Sequence, residues 1–242
     1  MIRRIVLALQ FLTRLPLPAV RAGEADFAGA ILWFPLAGAA VGGAAGLGWW
    51  LGLRSGDGWI AALAGLAAWT AVTGALHLDG LGDVADGAGA AHKSAGADRE
   101  RISAVMADPH VGSFAVVAIV LQLTAKLVLL HALRPGQVWA LLLVPVLARM
   151  APLAWTLLLP PLHEGLGSLF RKAVQWRHVI LWGGAALVLA LAVAPPLLAL
   201  FAAVPFWAWW LRSRIGGISG DGHGAGIEVT ETALLAALVL IR

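Results

Sequence analysis

Asp79, Asp83 and Asp86 stand at spacings i, i+4 and i+7 in the stretch HLDGLGDVADGAG. At about 100° per residue on an α-helix they fall within about 60° of one another, so one stripe carries three carboxylates. Like charges so placed repel, and no lysine lies four residues away to relieve them. A solvated helix end with ordinary surface acids is the reading without chemistry. A bound divalent cation is the reading with it. Oxygen donors of this kind suit Mg²⁺, which binds through one or two carboxylates plus substrate phosphates. His77 precedes the stripe, either as a packed histidine or as a ligand. Zinc is disfavoured, because no HxxxH or HExxH spacing appears.

A second group lies in RSRIGGISGDGHGAGIEVTETALL, where six glycines fall between positions 216 and 226. The run reads as a flexible loop feeding a helix that starts with Glu228 and Glu231. Such a loop can offer backbone N–H groups to a phosphate, or it can be a plain connector. It is not a Walker A loop, because Gly-Lys-Ser/Thr is missing. Asp221 and His223 inside the run favour a site. Between the two groups, residues 92–112 supply Lys93, Arg99, Arg101 and His110 as cations for a phosphate. Ile102, Val105 and Met106 give that stretch an amphipathic helical face. Asp108 precedes proline and serves equally as a turn residue or a site acid. Arg149 interrupts an apolar run, so it is expected to face the bundle interior and hold an acid or a phosphate. The stretch 163–176 reads as a surface loop.

These residues must be positioned by membrane helices. Of 242 residues 60% are hydrophobic and 12% charged, against roughly a quarter charged in a soluble domain. Seven apolar segments run near 28–53, 59–78, 112–133, 138–159, 179–194, 197–211 and 229–242. Their lengths near twenty match the bilayer core; the last, at 14 residues, is the shortest. Pro195-Pro196 breaks the fifth from the sixth. The expected fold is all-α: a polytopic bundle of 6–7 transmembrane helices forming one domain over 1–242. Residues 1–20 form an amphipathic helix in the membrane interface rather than a signal peptide.

Placing the N-terminus inside puts twelve lysines and arginines on the inner face and three on the outer. The positive-inside rule then predicts the inner (cytoplasmic) membrane with the acids facing the cytoplasm. Twelve of thirteen acidic residues share that face. Tryptophans 49, 50, 59 and 139 are expected in an outer aromatic belt, and 155, 176, 182, 207, 209 and 210 in an inner one. The basic residues sit at loop ends, which excludes nucleic acid as a partner. With no cysteine, disulfides, thiolate metal sites and a cysteine nucleophile are excluded.

LHLDGLGDVADG, RERISAVMADPHVGSF and RIGGISGDGHGAGIEVTE, in that order, resemble the signatures of the cobalamin synthase family, the adenosylcobinamide-GDP ribazoletransferases. FLTRLP near the start and the ARMAP…GLGSLF stretch agree, so the resemblance covers nearly the full length. It implies a reaction in which α-ribazole, or its 5′-phosphate, attacks adenosylcobinamide-GDP, GMP leaves, and adenosylcobalamin or its phosphate forms. It also implies Mg²⁺. Ala107 departs from the family, where a lysine often precedes the Asp-Pro; Arg99 or Arg101 is the candidate replacement.

On this reading Asp79, Asp83 and Asp86 hold Mg²⁺, with Glu228 and Glu231 completing its shell. Asp86 or Asp221 takes the hydroxyl proton. Arg149, Arg101, Arg99, His77, Asp108, His110 and His223 contact substrate. Other pathway enzymes and further copies of the chain are the candidate protein partners. Rival readings are a CDP-alcohol phosphotransferase, whose Ala-Arg pair is missing from 79–90, an intramembrane aspartyl protease, and a cation transporter. Acids confined to one face oppose a through-path for ions.

Overall fold

The computed structural model describes residues 1–93 and 99–241, with the side chains of 92, 93, 99 and 166 excepted. Thirteen α-helices are described: α1 Ile2–Leu12, α2 Glu24–Ala30, α3 Phe34–Leu53, α4 Gly58–Thr73, α5 Leu76–Lys93, α6 Arg99–Met106, α7 Ser113–Ala132, α8 Val138–Ala148, α9 Ala151–Leu158, α10 Leu166–Arg171, α11 Trp176–Val193, α12 Leu200–Arg214 and α13 Gly220–Leu240. Among the described residues there is no strand, only one isolated bridge between Pro161 and Ile218. The chain is an all-α, polytopic membrane protein, as its composition requires.

Five helical stretches are long and apolar enough to cross a membrane: Glu24–Leu53, Ser113–Ala132, Pro135–Leu158, Trp176–Val193 and Gly220–Leu240. A sixth arises if α4 and α5 count as one span, bent by 84°. Three of the seven apolar segments therefore come out differently. The second, expected over 59–78, is split by that bend, which leaves α4 with 16 residues. The sixth forms α12, only 15 residues long. That is about 22 Å at 1.5 Å per residue, short of the hydrocarbon core of about 30 Å. The last is longer than its apolar run, because α13 begins at Gly220 and holds 21 residues. The glycine run is thus helix and not loop from Gly220 onward. Inside a bundle each backbone group must bond within its own helix, and small residues let helices approach. Those two demands override glycine's weak helix propensity of about 1 kcal/mol per residue. Pro195 and Pro196 do break the fifth segment from the sixth, opening a 3₁₀ turn over Pro195–Ala199.

The bend between α4 and α5 is built by Gly74 at φ 59° and Ala75 at φ 60°, both left-handed. The Arg14 amide donates to the Val72 carbonyl at 2.7 Å and ties the N-terminal segment to this corner. α1 is amphipathic and buries Ala8 and Leu12, but it ends at Leu12, so the expected helix over 1–20 forms only in its first half, before the stretch with Pro16 and Pro18. Around it Phe11, Phe27, Phe34 and Phe170 interlock with ring centroids 5.4 to 6.3 Å apart. Phe170 belongs to α10, so the stretch expected to be a surface loop contributes a core aromatic that is 1% exposed.

The tryptophans divide. Trp50, Trp59, Trp139, Trp176 and Trp209 are exposed, as belt residues should be. Trp49, Trp155 and Trp207 are buried instead. Each donates its indole N–H to a carbonyl, of Leu130, Val204 and Gly222 respectively. Buried indoles need such partners, and here they pin helices together.

Candidate active site

α5 and α13 cross at Gly80 and Asp221. A Cβ on Gly80 would lie 3.0 Å from both Cα and O of Asp221, so any side chain there would push the two helices apart, and glycine gives the close approach. The crossing joins the two acidic segments that the sequence keeps 142 positions apart (79 to 221). Asp83 is half-buried, and the charges acting on it are those of Asp221, Asp79 and Asp86. The three-carboxylate stripe expected from spacing is therefore real, and Asp221 makes it four.

A cavity of about 220 Å³ opens beside this group, lined among others by Asp79, Asp83, Asp86, Asp108 and His110. A neighbouring cleft of about 320 Å³ shares Asp86, Asp108 and His110 and adds Arg101. Asp86 is held firmly, since Gly112 N–H donates to one oxygen at 2.8 Å and Ala115 N–H to the other at 3.1 Å. A side chain at 112 would collide with that carboxylate, so glycine is required there too. The pair of bonds sets the entry of α7 directly over the acids. Asp108 caps the turn by accepting from His110 N–H at 2.9 Å and pairs with the His110 ring at 2.6 Å. These bonds hold the exposed Asp108 carboxyl below the usual carboxylate range. Both readings of Asp108, turn residue and cleft residue, therefore apply. The side chain of Arg99 lies outside the described residues.

Glu228 and Glu231 do not join the aspartates. They face α7 and α8, fully buried, with Lys126 Nζ 2.6 Å from a carboxylate oxygen of each. Arg149 Nη1 lies 2.7 Å from Glu231, and Gln122 donates to Glu228 at 2.8 Å. Two acids and two cations thus neutralise one another inside the bundle. As ligands for an ion shared with Asp79, Asp83 and Asp86, the two glutamates are displaced by this pairing. Arg149, expected to reach an acid or a phosphate, holds an acid. Its Nη2 also lies 3.3 Å from His77 Nδ1. His77 connects the buried network to the acidic side, for it lines a slot with Asp79, Asp221 and His223.

Lys126 and Gln122 carried no role in the sequence reading. The intramembrane-charge argument that singled out Arg149 applies equally to Lys126, and Gln122 lies four residues earlier on the same face. Phe11, Phe34 and Phe170, which line the slot, gave no signal in the sequence beyond their apolar character.

The cobalamin-5-phosphate synthase family model matches residues 4–239. The chain belongs to that family. It is 51% identical to a protein of Novosphingobium aromaticivorans over 98% of this chain and 96% of that one. It is 48% identical to one of Thiobacillus denitrificans, covering 96% and 93%. With one of Brevibacillus brevis the identity is 34%, covering 96% of each. All three are named adenosylcobinamide-GDP ribazoletransferase. No solved structure matches the chain. In this member of the cobalamin-5-phosphate synthase family, LHLDGLGDVADG supplies the α5 acids and GISGDGHGAG the α13 side of the crossing.

Proposed function

We propose that the chain is an adenosylcobinamide-GDP ribazoletransferase that works through the carboxylates at the α5–α13 crossing. The reaction joins α-ribazole, or its 5′-phosphate, to adenosylcobinamide-GDP. A ribose hydroxyl oxygen forms a bond to the phosphorus on the cobinamide side, the bridging P–O bond breaks, and GMP leaves. The hydroxyl proton passes to a protein carboxylate. The observation that carries the site is the Gly80–Asp221 contact, which brings Asp221 up to three α5 carboxylates that line an open cleft.

Mg²⁺ is the proposed cofactor, and the donor set can be tested against it. Among the described residues no three acids or histidines close around a single point. The carboxylates form an open, oxygen-only edge, and among the described residues the charges acting on Asp83 are those of other carboxylates. That edge fits Mg²⁺, which takes one or two carboxylates and leaves positions for water and phosphate oxygens. Asp79, Asp83 and Asp86 would hold it. When bound, the ion supplies charge neutralisation on the pyrophosphate and the departing GMP. The protein's share is then positioning and electrostatics. Asp86, with both oxygens engaged by backbone N–H groups, serves to hold geometry. Asp221 is half-buried at the rim of the slot and accepts from its own backbone N–H and, at a long 3.4 Å, from Ser219, with no ion pair among the described residues to hold it, and it is the proposed acceptor of the hydroxyl proton. Arg101 supplies positive charge at the cleft for a phosphate, a task that passes to it where Ala107 replaces lysine. The excess of basic residues on the N-terminal side of the spans supports an inner-membrane location with this cleft facing the cytoplasm.

The test is turnover by the purified protein in detergent, with both substrates present. Ribazole-dependent release of GMP is expected. It should vanish with a chelator and return with added Mg²⁺, while helical content stays constant. GMP release without ribazole, or turnover unaffected by chelation, defeats the transferase or the metal assignment respectively.

A further inference from the structure

Beside the acids lies a slot of about 120 Å³ that the phosphate chemistry leaves unused. Phe11, Phe34 and Phe170 form its walls, with Phe34 and Phe170 packed edge to face at 5.5 Å. Deep in it are His77 and His223, only 2% and 4% exposed. At the solvent side are the exposed Asp79 and the half-buried Asp221. An apolar slot opening onto the catalytic carboxylates has the form of a small-molecule subsite.

Polar groups contribute little to the surface of the slot. His77 Nε2 and His223 Nδ1 make no hydrogen bond among the described residues, but both atoms are closed off within the packing and are not presented to an entering group. What such a group meets is mainly apolar, with the phenyl rings as the broad faces.

We infer that this slot receives the benzimidazole base of the incoming nucleoside, held against the phenyl rings of Phe11, Phe34 and Phe170. The assignment rests on the ribazoletransferase reading and names where one of the two substrates sits. A benzimidazole base joined to ribose has one free ring nitrogen, an acceptor, and is otherwise an apolar plane suited to stacking on Phe walls. Guanine, the other base in the reaction, presents several donors and acceptors along its edge. A mainly apolar slot would leave most of them unpaired. With the base so placed, the sugar lies toward Asp79 and Asp221, where the proton must be taken.

The test uses the full chain in detergent. Phe170→Leu and Phe34→Leu should each raise KM for α-ribazole about tenfold or more, the scale of one lost base–aromatic contact. KM for adenosylcobinamide-GDP should stay as it is. Free benzimidazole should inhibit wild-type protein competitively against ribazole, and guanosine should not. It should also quench tryptophan fluorescence, since the Trp155 ring lies 6.3 Å from His223. An unchanged ribazole KM in folded variants overturns the inference. So does benzimidazole that competes only against adenosylcobinamide-GDP, or fails to bind. If the variants do not fold, the wild-type competition decides alone. Wild-type protein that binds benzimidazole with quenching, yet makes no ribazole-dependent product, sinks the transferase reading and leaves the slot standing.

Discussion

Asp221 and Glu231 lie on one helix, about three turns apart, in opposite electrostatic settings. Glu231 is 0% exposed, and Lys126 and Arg149 are paired with it. Asp221 faces other carboxylates across a glycine contact and lines the slot together with Asp79. The first setting is closed: charge, burial and hydrogen bonds are all balanced within the protein. The second is open: the protein gathers like charge and leaves its compensation to whatever enters. The difference separates acids that hold the bundle together from acids kept available for chemistry.

The strongest way to break this contrast is Glu231→Gln. Removing one member of a buried ion pair typically costs about 3–5 kcal/mol, because the remaining cations lose their counter-charge. A large fall in melting temperature in detergent is expected, with activity lost only as folded protein is lost. An unaltered melting temperature would remove the structural role. Asp83→Asn tests the other side. Turnover should fall about 10²-fold or more, equivalent to about 2.7 kcal/mol of barrier. The melting temperature should hold or rise, because one of four repelling charges is gone. Destabilisation by this variant would mean that the aspartates too are structural.

How far the sequence reveals these two settings depends on how local each signal is. The α5 stripe is legible because i, i+4, i+7 spacing acts within one helix. The paired network is not, because Lys126 and its acids lie 102 and 105 positions apart (126 to 228 and 231) and only packing brings them together. The same limit hides the Phe11–Phe34–Phe170 slot, drawn from three separated segments. The glycine run is misleading for another reason. Glycine predicts flexibility when exposed, but in a crowded bundle its small size makes the Gly80–Asp221 class of approach possible. The membrane character and most spans are legible from hydropathy alone, since lipid imposes them residue by residue.

A smaller test concerns the corner that aims α5. Ala75 holds φ 60° without being glycine, a conformation disfavoured for residues with a Cβ. Ala75→Gly should stabilise the protein by about 1 kcal/mol, seen as a modest rise in melting temperature. If the bend only positions the acids, kcat is unchanged. A drop in kcat would show that the strained corner contributes to the open setting and is not merely tolerated.

The ribosome makes α7 and α8 before α13. Lys126 and Arg149 are therefore delivered to the translocon while the glutamates that will neutralise them are still untranslated. Until α13 arrives, the nascent protein holds two uncompensated cations at membrane depth and no complete carboxylate cluster. Arrival of that one helix settles both at once: it neutralises the two cations and completes the carboxylate cluster.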